Sequence, residues 1–99
     1  MSRTLSLDFV RHHCKVKLWN ETKGKIPVPA MSIEADRKNP SLLKFKIESG
    51  EHAEEFEIET KGLGTEELGA RFDHAIRRAA ISLIRRNREE NLTPWELIS

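Results

Sequence analysis

The sequence predicts an α+β domain of two layers, an antiparallel sheet of about five strands packed on one long C-terminal α-helix. Three observations lead there. Short stretches of alternating apolar and polar residues recur through the first 61 positions. One run, residues 65–90, repeats its apolar residues at the helical period and contains no proline. The 99 residues suffice for one domain with one modest core. The expected organisation of residues 1–99 is a sheet over 1–61, the long helix over 65–90 and a short capped tail over 92–99.

Leu5, Leu7 and Phe9 alternate with Ser6 and Asp8, the pattern of a half-buried strand. Cys14, Val16 and Leu18 alternate with Lys15, Lys17 and Trp19 and predict a second, with Arg11-His12-His13 as a tight connection. Residues 20–25 have turn composition around Gly24. Ile26-Pro27-Val28-Pro29 suits an edge or a strand entry, because each proline lacks a ladder donor. Met31, Ile33 and Ala35 predict a third strand, and residues 36–41, with Asn39-Pro40, turn the chain.

Leu43, Phe45 and Ile47 predict a fourth strand, and Phe56 and Ile58 a fifth. These two form a hairpin around Ser49-Gly50-Glu51-His52. The expected register sets Ile47 opposite Phe56, Lys46 opposite Glu57 and Lys44 opposite Glu59, with a mild conflict of Glu48 against Glu55. Strands joined by short turns are antiparallel, since parallel pairing needs a crossover.

Gly62-Leu63-Gly64 ends the strand region, and Thr65 is the expected helix cap. Glu66 and Glu67 then suit the positive end of the helix dipole. Leu68, Phe72, Ala75, Ile76, Ala79, Ala80 and Leu83 share one face. The expected core joins Phe72, Ile76 and Leu83 to Phe9, Val16, Leu18, Phe45, Ile47 and Ile58. In the tail, Thr93-Pro94-Trp95-Glu96 is a capping box with proline at the first helical position, flanked by Leu92 and Leu97.

The net charge of +1 excludes a uniformly basic surface, but the charge is segregated. Residues 1–28 hold six Lys/Arg against two acids, residues 47–60 six Glu and no Lys/Arg, and residues 71–88 six Arg against Asp73. The helix face opposite the apolar stripe carries Arg71, His74, Arg77, Arg78, Ile81, Arg85 and Arg88. Arg71, Arg78 and Arg85 recur every seven residues and make a nearly straight row. Glu67–Arg71 and Asp73–Arg77 are i,i+4 pairs in the favourable order, Arg85–Glu89 and Arg86–Glu90 in the weaker one. Ile81 stands amid the arginines, where a solvated face would carry a polar residue, so the face fits a protein contact better than a phosphate track. No aromatic residue interleaves with the arginines to stack nucleic-acid bases.

Chemical signatures are weak by comparison. His12 and Cys14 would share one side of an extended segment, yet a zinc site needs two more ligands, and Cys14 fits a buried core thiol. The expectation is no metal site and no cofactor. No positioned nucleophile–base pair or phosphate loop is visible, so an enzyme is not expected. The lone Cys14 and the N-terminal composition suit a cytoplasmic protein, and no apolar run is long enough to span a membrane. The expected function is that of a small non-enzymatic binding protein, of inhibitor or adaptor type, meeting a protein partner or a second copy through the arginine face. The alternative is nucleic-acid binding, with the same arginines on phosphates.

Overall fold

The structure, a computed structural model, describes residues 7–90. Its elements in order are α1 (Leu7–Thr22), β1 (Ala30–Ala35), β2 (Leu42–Ser49), β3 (His52–Glu59) and α2 (Thr65–Glu90). The architecture is α+β, with a three-stranded antiparallel sheet in the order β1-β2-β3 and two helices. Leu5 and the capping box over 93–96, with its flanking Leu92 and Leu97, lie outside the described residues.

The first two expected strands are instead one helix, α1. The same residues carry two periods. Leu7, Val10, Cys14, Leu18 and Thr22 follow the spacing of a helix face, and the last four are buried. The expected connection, Arg11-His12-His13, has none of the residues that favour a tight turn. Pairs at helical spacing, Asp8–Arg11 at 3.7 Å and Lys17–Glu21 at 2.9 Å, add local support. Gly24 then ends the helix with φ 73°, as glycine after a helix commonly does. Two expected core residues are displaced in consequence. Phe9 is 57% exposed and Val16 45%, because both lie on the outer side of α1.

The sheet follows from the later alternations. Pro27 and Pro29 precede β1 and do not interrupt a ladder. β2 alternates buried Leu43, Phe45, Ile47 and Ser49 with exposed Lys44, Lys46 and Glu48. The β2–β3 hairpin forms around the expected tetrapeptide, but its register differs by two residues. Phe45 faces Phe56, Leu43 faces Ile58, Ile47 faces Glu54 and Lys46 faces Glu55. The turn sets this: Ser49 pairs with His52, and Gly50 takes the corner with φ 61°. A shift of two keeps every side chain on its face. It also sets Glu48 opposite Ala53, which removes the conflict with Glu55.

Both helices cover one face of the sheet. α2 packs on β3 and β2, and α1 packs beside α2. The core combines Val10, Cys14 and Leu18 of α1 with five sheet residues and with Leu68, Phe72, Ile76, Ala79, Ala80 and Leu83 of α2. The sheet residues are Ile33, Leu43, Phe45, Ile47 and Ile58. Phe45 sits at its centre, stacked on Phe56 at 4.7 Å and tilted against Phe72 at 5.9 Å. The other sheet face is open and charged, with Lys46 bridging Glu48 at 3.0 Å and reaching Glu55 at 4.0 Å. No helix among the described residues is long and apolar enough to cross a membrane.

Candidate interaction surface

Helix α2 carries the candidate residues, and its seating on β3 decides which of them act together. The first intrahelical bond runs from the Leu68 amide to the Gly64 carbonyl at 3.0 Å, so Gly64 rather than Thr65 takes the cap position. From there the apolar stripe turns inward. Arg71, His74, Arg77, Arg78, Ile81, Arg85 and Arg88 are all exposed, Ile81 at 46%.

The two elements are pinned at one end of their seam. Ser82 donates its hydroxyl to the Glu54 carboxylate, and Arg86 reaches the same carboxylate at 3.1 Å. Arg86 also donates to the Ala53 carbonyl at 3.3 Å. At the other end, Glu57, Ile58 and Glu59 line a groove with Ala70, Arg71, His74 and Arg78. Helix and strand therefore run antiparallel, with Arg71 near Glu59 and Arg86 near Glu54.

Three shallow grooves follow this seam, and Arg78 lines each of them. The first is the one with Glu57 and Arg71. The second is walled by Glu54, Glu55, Phe56, Ala75 and Ser82. The third holds Ile81, Arg85 and Arg86. The fold thus brings Arg71, His74, Arg78, Ile81 and Arg85 together along one surface. Arg77 turns toward α1, where its charge helps hold the Glu21 carboxyl low behind the larger effect of the Lys17 hydrogen bond. Arg88 lines none of the three grooves.

Of the four expected ion pairs of the face, the two among the described residues, Glu67–Arg71 and Asp73–Arg77, do not form. Asp73 meets His13 of α1 at 2.8 Å, so it serves the contact between helices rather than Arg77. Among the described residues, Arg71, Arg78 and Arg85 form no ion pair. The pairs Arg85–Glu89 and Arg86–Glu90 involve side chains outside the described residues.

The glutamates noted in the sequence divide between the two faces of β3, with Glu54 turned to α2. Glu55, Glu57 and Glu59 alternate with Glu54, Phe56 and Ile58 along the edge strand β3, so their side chains point to the open sheet face with Lys44 and Lys46, away from α2. The carboxylate of Glu59 is already engaged. Ser41 and Asn39 donate to it, as does the Lys61 amide, and these bonds hold its pKa low, the Ser41 bond foremost. Glu57 forms no ion pair among the described residues. Sequence reasoning missed the bonds of Glu54 with Ser82 and Arg86: the six glutamates over residues 47–60 were visible, but not which of them meets the helix.

The helical form of residues 7–22 also separates His12 from Cys14. His12 is exposed, whereas Cys14 is fully buried, its thiol pushed up to about 12 by burial and, to a lesser degree, by the Asp73 charge. No cluster of three or more His, Cys, Asp or Glu suited to a metal occurs among the described residues. Compared with protein-family models, curated proteins and solved structures, the chain matches none.

Proposed function

We propose that this is a small non-enzymatic binding protein, of inhibitor or adaptor type, that contacts protein through the exposed face of α2. The observation that carries this is the setting of Arg78. It lines all three grooves of the α2–β3 seam, beside exposed Ile81, and no acid of its own chain pairs with it among the described residues. Contact cores favour arginine with apolar neighbours, and such a guanidinium can pair bidentately with a carboxylate.

Phosphate binding by the same arginines is the competing chemistry. Ile81 stands against it, exposed amid the arginines where a phosphate track would carry a polar residue, and no aromatic residue interleaves with them to stack bases. A protein surface that offers carboxylates beside apolar side chains suits a face of arginines around Ile81 better.

The double variant Arg78→Glu/Ile81→Asp tests the proposal. It should lose protein association, read by light scattering and by pull-down from the native host. An electrophoretic shift with nucleic acid, run at two salt concentrations, separates the chemistries. A steeply salt-dependent shift that the variant loses would transfer the face to phosphate binding.

A further inference from the structure

We infer that the partner at this face is a different protein that lays an acidic α-helix along α2 in coiled-coil register. The inference rests on the contact function proposed for α2 and specifies its occupant. Arg71, His74, Arg78, Ile81, Arg85 and Arg88 follow one another at steps of three, four, three, four and three residues. That is the spacing of a coiled-coil seam, and it traces one slowly drifting stripe of a helix. All six side chains are exposed. α1 meets one flank of α2 through His13 and Asp73, and β3 meets the other through Glu54, Ser82 and Arg86. The stripe runs between these contacts, and neither element covers it. Arg77, the candidate residue out of step with the stripe, is the one turned toward α1.

Charge sets the chemistry of the occupant. Arg71, Arg78 and Arg85 form no ion pair among the described residues. A cover without acids would leave guanidinium groups desolvated and unpaired, which is costly. The chain's own carboxylates are turned elsewhere. Glu54 meets Ser82 and Arg86, Asp73 meets His13, and Glu55 and Glu57 point to the open sheet face opposite Lys46 and Lys44. A second copy brings no acidic helix either. The acids of α1 are Asp8 and Glu21, which pair with Arg11 and Lys17, and α2 laid on α2 would set arginine against arginine.

Spacing sets the form of the occupant. Arg71, Arg78 and Arg85 stand about 10.5 Å apart along the helix axis. A helix with an acid every seven residues repeats at that interval and meets all three. Side chains on one face of a strand repeat at about 6.6 Å, so a strand that meets Arg71 and Arg85 misses Arg78. An apolar side chain one step along the partner's seam then covers Ile81.

Helical probes of known sequence test this. The matched probe is a lactam-stapled peptide about three heptads long, with glutamate at the first position of each heptad, leucine at the fourth and glutamine elsewhere. Its reversed sequence serves the antiparallel arrangement. One control, equally stapled and of the same composition, places its glutamates every six residues and so scatters them around the helix. A second control keeps the matched sequence but carries D-residues that prevent a helix. Fluorescence anisotropy should show the matched probe, in one direction, binding with a Kd below about 1 mM and about tenfold or more tighter than either control. Arg78→Gln should weaken it about tenfold, and so should glutamine at the facing position of the probe, while both changes together should cost no more than either alone. Arg85→Gln provides an independent arm, and circular dichroism confirms that both variants are folded. Equal binding by either control, no matched binding below about 1 mM, or additive losses in the cycle would overturn the inference. So would a DNA duplex that occupies the row while the matched probe does not. If no matched probe binds but Arg78→Glu/Ile81→Asp still loses its protein association, only the acidic helix is removed. Survival of every association in that double variant would remove the contact function as well.

Discussion

Cys14 shows how much one side chain says about its surroundings. Its thiol is fully buried between α1 and the rest of the core, and its pKa is pushed up from the ordinary 9.0 to about 12. A thiol reagent reacts with thiolate, so labelling of the folded protein near neutral pH should be slow and should speed up greatly in denaturant. The same shift links stability to alkali. In the unfolded chain the thiol ionises above pH 9.0, whereas in the folded chain it stays neutral until about 12. Its stabilising contribution is therefore complete below pH 9.0 and is lost as the pH climbs from there towards about 12. Urea melts over that range should show the wild type losing stability more steeply than Cys14→Ala. Parallel curves for the two would mean that the thiol is solvated. The sequence already placed Cys14 in the core, because its alignment with Leu18 survives a change from strand to helix.

Helix α1 is the element that the sequence concealed. Leu7 and Phe9, and separately Cys14, Val16 and Leu18, satisfy a period of two, while Leu7, Val10, Cys14 and Leu18 satisfy the helical period, and windows this short do not separate them. Apolar residues on the outer face, Phe9, Val16 and Trp19, blur the amphipathic signal further. Trp19 is partly offset by Lys23, whose ammonium lies 4.8 Å from the ring centroid. Strand and helix make opposite forecasts for two substitutions. As half of a sheet face, Phe9 and Val16 would be core residues. On α1 they are exposed, so Phe9→Ser and Val16→Ser should each change stability by about 0.5 kcal/mol or less. Leu18→Ala, on the buried side, should cost about 2–5 kcal/mol. Equal large losses at all three positions would restore the strands. Helix α2, by contrast, was legible because a glycine pair precedes it, no proline breaks it and its apolar stripe is long.

At the scale of the molecule, one sheet face is sealed by two helices, and the other is a charged ladder open to solvent. Phe72 ties the layers together through Phe45, so Phe72→Ala should cost about 3–5 kcal/mol in a denaturant melt, and a loss under about 1 kcal/mol would place that ring outside the core. The arginine face could be read from spacing alone, since helical periodicity converts sequence position directly into a direction. The helix contact of Glu54 could not. That contact exists only because α2 lies antiparallel to β3, where Ser82 and Arg86 meet Glu54 across 28 or more residues of chain. The register slip in the hairpin has the same origin, since Gly50 and the Phe45–Phe56 stack fix it together.

The central claim is that Arg78 and Ile81 serve a contact and not the fold. Stability and association measured on one sample of Arg78→Glu/Ile81→Asp test it most directly. Both positions are exposed, and neither side chain pairs with another element, so its free energy of unfolding should lie within roughly 1 kcal/mol of wild type, the sum of two exposed substitutions. Its association with protein should be lost. A folded variant of unchanged stability that keeps every association would contradict the account and leave the arginine row as a solvated helix face.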